Sequence, residues 1–362
     1  MRIKKGSVLV YRLFDIAEEI NISKLESILR DYRGPDRFQV PKYIDRAIVM
    51  KNPPVSFGLG TEILKLKDRE IKLDALVKLR DFGTLSIIYQ INIEPGMEWS
   101  DLLNLAVDLE VGTEIDQLAQ QQVKEIMSAI APAVKKPTAW KTFEDYIIYF
   151  FEEIEGLQNA KDLMEKVDVA GLLSSENKVR LSESTRKLLT ENIFQYGEND
   201  LTLIEWNSAI VIEPGGGREV PDILEFALTH LLEMRYYDEL LDDRLNSLYD
   251  SIEERKNSIW YGNYGRTQKE ASSRYIEFSE FIERVENSLK VVGDFYLANL
   301  YRAATRRFRI FDWQQSTTRK MNLLAQVSEL LQGEVNTRRS FLLEIAIFLL
   351  IAYEVGIAIF KS

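Results

Sequence analysis

The first 212 residues carry short runs of β-branched and aromatic residues, interrupted by stretches with helical spacing. Ser7–Phe14 (SVLVYRLF), Arg46–Met50, Glu62–Leu66, Ala75–Arg80, Thr84–Ile93 and Phe143–Phe151 (FEDYIIYFF) read as strands. Asp81-Phe82-Gly83 reads as a hairpin turn between two of them. Ile22–Tyr32, Ser100–Leu109 and Glu114–Ile130 read as helices. Short helices are expected over 157–190, with Ser182 as an N-cap. Glu191–Tyr196, Leu201–Glu205 and Trp206–Ile212 close the region as strands. This order predicts an α+β fold with a mixed α/β domain over 1–212.

After Glu213–Gly217 (EPGGG) the period changes. Val220, Leu224, Ala227, Leu231, Met234, Asp238, Leu241, Leu245, Leu248 and Ile252 alternate four and three apart, a heptad seam with one polar position. Ala271, Tyr275, Phe278, Ile282, Val285, Leu289, Val292 and Tyr296 form a second. Long coiled-coil-like helices are therefore expected over 213–337, as a hairpin or stalk and as the seam of a homo-oligomer. A third helical stretch, Met321–Val335, leads into Arg338 and Arg339.

Residues 338–362 predict a C-terminal transmembrane helix. Phe341–Phe360 (FLLEIAIFLLIAYEVGIAIF) is about 30 Å long as a helix, the thickness of a bilayer core. Phe341, Leu342, Phe348, Leu350, Phe360 and their apolar neighbours favour insertion by roughly 4–8 kcal/mol. Glu344 and Glu354 oppose it, at about 2.5–3.5 kcal/mol for a central charge. The balance predicts a single-pass membrane anchor contacting lipid, with the bulk of the chain cytoplasmic. The competing expectation is a helix buried in an oligomer.

Composition narrows the chemistry. Hydrophobic residues at 46% and charged residues at 28% specify a folded chain. A net charge of −11 argues against general nucleic-acid binding, so DNA is not expected as a partner and any RNA contact needs a local basic patch. With no Cys and a single His, His230, thiol catalysis and Cys- or His-rich zinc sites are excluded. The N-terminus lacks the continuous apolar segment of a signal peptide and gains acidic residues early, unlike a transit peptide.

DFYLANLYRAATRRF at Asp294–Phe308, Lys320-Met321-Asn322, Leu342-Leu343-Glu344 and Glu354-Val355 resemble the C-terminal part of the required-for-meiotic-nuclear-division family. The aromatic strand FEDYIIYFF and the helix ILEFALTHLLEMRYYDELL are compatible with it. The resemblance implies a membrane-anchored scaffold containing a domain of unknown function, in a family with a mitochondrial member tied to mitochondrial translation. It transfers no catalytic residue. The absence of an organellar leader points to a prokaryotic-type member.

The remaining candidates for chemistry are few. Asp238 with Asp242, and Glu239 with Asp243, share helix faces and could ligate a hard cation, but alternating arginines favour a solvated face. Gly215-Gly216-Gly217 lacks the Lys and Ser/Thr of a phosphate loop, and Gly58-Leu59-Gly60 lacks a third glycine. His230 lies in an apolar run and reads as packed. Arg302, Arg306, Arg307 and Arg309, interleaved with aromatic residues, suit RNA, lipid headgroups or pairing with acidic neighbours; Arg338 and Arg339 follow further on. The leading expectation is a non-enzymatic membrane-anchored scaffold without cofactor or metal. The alternatives are an RNA- or ribosome-contacting tether and a carboxylate-based metal-dependent enzyme.

Overall fold

A computed structural model describes residues 1–31, 53–67, 69–138, 142–254 and 295–361, with Ser273, Ile276, Ser279, Glu280 and Glu283 between them. The strand expected at Arg46–Met50 lies outside the described residues, as do seam positions Tyr275, Phe278, Ile282 and Leu289. The elements are β1 (Arg2–Asp15), β2 (Ala17–Ile20), α1 (Ile22–Asp31), β3 (Val55–Leu66), β4 (Arg69–Leu79), β5 (Thr84–Asn92) and β6 (Met97–Glu98). There follow α2 (Trp99–Val111), α3 (Glu114–Ile130), β7 (Val134–Pro137), β8 (Phe143–Ile154), α4 (Leu163–Lys166), α5 (Val169–Leu173) and α6 (Glu183–Leu189). Then come β9 (Ile193–Phe194), β10 (Leu201–Ile204), β11 (Ser208–Ile212), α7 (Glu219–Glu254), α8 (Phe295–Arg307) and α9 (Ile310–Lys361).

Nine strands form one sheet, ordered β3-β4-β5-β1-β8-β11-β10-β9, with β6 also on β1. Its pairings are antiparallel except β8–β11, which is parallel. Side chains alternate between its two faces. Val8, Val10, Leu73, Val77, Ile87 and Tyr149 point into one large core shared with α2 and α3. Leu9, Tyr11, Ile88, Ile148 and Phe150 occupy the opposite face and are also buried. Burial on both faces is why SVLVYRLF and DYIIYFF read as continuous apolar runs rather than as alternating strands.

Two compact units divide the chain: 1–236 with 284–311, and 237–283 with 312–362. In the first, Val220–Met234 of α7 is almost wholly buried, including Ile223, Phe226 and Leu232 off the heptad seam. This part of the helix covers the second face of the sheet, and α8 packs on it through Phe226 and Tyr301, with rings 5.6 Å apart. In the second unit, Leu241, Leu245, Met321 and Leu324 are buried.

Lys78 on β4 and Arg80 just beyond its end enter the α7 side of the sheet because they continue the strand's period from Asp74 and Leu76. Lys78 Nζ lies 2.7 Å from both Asp222 Oδ1 and Glu225 Oε2, and Arg80 Nη2 lies 3.2 Å from Glu225 Oε1. Glu225 is fully buried. Burial pushes its carboxyl up, but Lys78 and Arg80, with hydrogen bonds from Lys78 and Ser86, hold it below the ordinary glutamate value.

Asp15, at the end of β1, shows the opposite balance. Burial raises its carboxyl to about 7, against hydrogen bonds from the Ala17 amide and Thr138. Its Oδ2 is enclosed without a hydrogen-bond partner. A raised folded value means that stability falls as pH rises through the window from about 4 to 7. Asp15→Asn is therefore expected to melt above the wild type at pH 8 and level with it near pH 4. Thermal unfolding at the two pH values checks this; an equal difference at both would reject the assignment.

The C-terminal helix corrects an expectation. Among the described residues no helix is long and apolar enough to cross a membrane. The Phe341–Phe360 run lies within α9. It also contains the exposed carboxylate Glu344. The C-terminal transmembrane helix of 338–362, the single-pass anchor and the cytoplasmic placement derived from it are thus not supported. What stands is a mixed α/β domain with C-terminal helices.

Candidate functional site

The site is built where the sheet edge β9 meets α8. Ser182 caps α6 by accepting from the Thr185 amide at 3.2 Å, as its position before SESTRKLL predicts. The chain then forms β9, which pairs only through Ile193 and Phe194 with β10. It turns at Gly197, where Asp200 accepts hydrogen bonds from the amides of Tyr196 (2.7 Å) and Gly197. This turn projects Tyr196, which is 80% exposed.

α8 is amphipathic, with Leu297, Leu300, Tyr301 and Ala304 buried. Its other face presents Phe295, Tyr296, Asn299, Arg302 and Arg306. Together with residues 192–196 these side chains line an open groove of about 810 Å³. Tyr296 meets Tyr196 edge to face, with ring centroids 5.6 Å apart, and Phe295 is 80% exposed. Arg302 and Arg306 are exposed and one helical turn apart, about 6 Å along the axis. Arg302 Nη1 donates to Asn299 Oδ1 at 3.0 Å. Neither arginine has an ion-pair partner among the described residues.

The arginine cluster read from the sequence therefore separates into two roles. Arg307 turns inward, bonded to Glu205 and 3.8 Å from Glu191. It sits beside Phe308, which packs edge to face on Tyr146 at 5.4 Å. Arg307 thus ties α8 to the turn before β11. Arg309 is exposed at the left-handed residue (φ 52°) between α8 and α9, not in the groove. Arg338 and Arg339 lie within α9, away from the groove in sequence. Tyr196, Tyr296 and Phe295 were missed as site residues. Tyr296 fitted the seam spacing, and no spacing links it to Tyr196 in a distant loop.

Other expected positions have structural partners. His230 Nδ1 lies 3.0 Å from the Tyr301 hydroxyl, and burial lowers the imidazole to about 4, so it is neutral at physiological pH. Asp238 and Asp242 are bridged by Lys320 Nζ at 2.8 and 2.6 Å, so an ammonium occupies the position expected for a hard cation. Among the described residues no group of His, Cys, Asp and Glu could hold a metal ion. Gly60 (φ 92°) marks a bulge between β3 and β4, which accounts for Gly58-Leu59-Gly60 without any phosphate. Leu231 and Met234 are buried on α7. Phe341, Leu342, Phe348 and Leu350 are exposed on α9; Glu354 and Phe360 lie in the same helix.

Residues 5–219 match the family described as "Uncharacterized protein MJ0711, N-terminal domain". The protein "Uncharacterized protein MJ0711" of Methanocaldococcus jannaschii is 24% identical over 253 residues, covering 68% of this chain and 74% of that one. No solved structure matches. The family match takes in every strand of the sheet but ends at the start of α7, before the arginines of the groove. Since it spans more than half of the chain, this protein belongs to the MJ0711 N-terminal-domain family.

Proposed function

We propose that this protein is a non-enzymatic binding protein that contacts single-stranded RNA through the groove between β9 and α8. The observation that carries the reading is the pairing of two uncompensated arginines, Arg302 and Arg306, with the exposed rings of Tyr196 and Phe295 in one groove. Arginines track a phosphate backbone, and aromatic faces stack on bases without regard to sequence. In a chain of net charge −11, such a local patch is what nucleic-acid contact requires. Asp294–Phe308 also belongs to the segment that resembles the required-for-meiotic-nuclear-division family, where one member is tied to translation. That likeness favours an RNA or ribosomal partner.

The test is fluorescence anisotropy of the full chain with a labelled oligouridine. Arg302→Ala with Arg306→Ala is expected to weaken binding at least tenfold and to reduce the slope of log K against log salt by about 1.4, or about 0.7 per phosphate. Tyr196→Ala is expected to remove about 1–3 kcal/mol with the salt slope unchanged. Arg307 is left intact because its bonds to Glu205 and Glu191 are structural. Equal affinity in the double variant and the wild type would sink the proposal.

A further inference from the structure

On the opposite edge of the same unit, β1, β3, β4 and β5 and the start of α7 line a half-open cavity of about 350 Å³. Leu9, Leu76, Ile88 and Pro221 form its apolar wall. The charges around it are unevenly matched. Lys78 is paired with Asp222 and Glu225, and Arg80 with Glu225. Arg218 and Asp74, which also line the cavity, have no ion-pair partner among the described residues.

Arg218 is held in place without being neutralised. Its guanidinium lies 4.2 Å over the Phe150 ring. Nη2 has only two long contacts, 3.3 Å to Gln90 Oε1 and 3.5 Å to Ser7 Oγ. Nη1 is enclosed with no hydrogen-bond partner. A buried cationic N–H without an acceptor costs desolvation energy that an anionic acceptor would recover. Asp74 accepts from Thr61 Oγ1 at 2.7 Å and from Asn92 Nδ2 at 3.3 Å. A carboxylate has room for further donors.

The two unmatched charges are neighbours through the sheet. Asp74 lies directly across from Gln90 in the β4–β5 register. Gln90 touches Arg218 through Oε1 and Asn92 through Nε2 at 2.7 Å, and Asn92 touches Asp74. A free cation and a free anion thus stand on either side of one amide, above an apolar wall. We propose that the cavity binds a small zwitterion, a free α-amino acid with an apolar side chain. Its carboxylate would meet Arg218, its ammonium Asp74, and its side chain Leu9, Leu76 and Ile88. The volume suits a ligand of that size and is at the small end for ligand pockets. This site shares no residue with the groove, so either can fail alone.

Equilibrium dialysis of the full chain with radiolabelled L-leucine tests the assignment. Wild-type protein is expected to bind it. Arg218→Gln and Asp74→Asn should each weaken binding at least tenfold. Unlabelled L-leucinamide, which lacks the carboxylate, and 4-methylpentanoate, which lacks the ammonium, should compete at least tenfold more weakly than L-leucine. Ser56→Phe, which fills the cavity from β3 and leaves both charges, should abolish binding and guards against misfolding of the charge variants. No binding to the wild type, binding as tight as the wild type's in either charge variant, or competition by 4-methylpentanoate equal to that by L-leucine would each overturn the proposal.

Discussion

Replacing Glu225 by Gln is expected to destabilise the sheet-bearing unit by about 3–5 kcal/mol. The carboxylate is fully buried and bonds two buried cations, Lys78 Nζ at 2.7 Å and Arg80 Nη2 at 3.2 Å. Lys78 keeps Asp222 in the variant, but the buried Arg80 guanidinium loses its carboxylate. Taking the carboxylate away from the buried Arg80 guanidinium, which lies 5.7 Å from the Phe226 ring centroid, costs more than the intact pair contributes. The effect has a pH signature. Because the folded carboxyl is held below its ordinary value, its stabilisation is present at neutral pH and is lost as pH falls through that lowered value. Chemical unfolding at pH 7 and in acid should show the variant's deficit shrinking. A deficit below 1 kcal/mol at pH 7 would mean that the network is not coupled as the geometry indicates.

Gly83→Ala is expected to have a comparable effect for a steric reason. Gly83 has φ 97°, a conformation that costs an L residue about 1–3 kcal/mol. A Cβ there would lie 1.6 Å from the Ala17 carbonyl oxygen, and backbone cannot swing aside as a side chain would. Overpacking adds about 1–3 kcal/mol, so a total of roughly 2–6 kcal/mol is expected. Gly83 also accepts from the Ile16 amide at 3.0 Å, which ties the β4–β5 turn to the bend between β1 and β2. Poor recovery of folded protein, or a large drop in unfolding midpoint, is the outcome to look for. Substitution at Gly96, whose Cβ would meet nothing within 4 Å, separates the two contributions, because it carries only the backbone cost.

Much of the local structure follows from residue order. The β4–β5 hairpin needed only Asp81-Phe82-Gly83 between two β-branched runs. Ser182 announced α6, and Glu114–Ile130, read as a helix, is α3. The heptad seam of α7 was legible but incomplete. Its first half is buried on more than one face, between sheet and α8, and a two-sided environment erases the contrast on which a periodicity reading depends. The apolar run of α9 shows another limit. Composition over Phe341–Phe360 argued for a membrane span, and the described helix does not reach the length and apolarity of one.

The sequence by itself determined most of the strands and helices described over residues 1–212, the exclusion of Cys and multi-His chemistry, and the existence of an unusual arginine cluster in an acidic chain. These depend on side-chain identity and near-neighbour spacing, which the chain carries directly. Only the tertiary structure decided which of those arginines are free. Arg307 and Arg306 are adjacent in sequence, yet the first is consumed by Glu205 and Glu191 while the second faces an open groove. The same holds for Arg218 and Asp74, separated by most of the domain and brought to one cavity by strand register. Charge compensation is a property of distance, and distances across a sheet are fixed by pairing that no local pattern encodes.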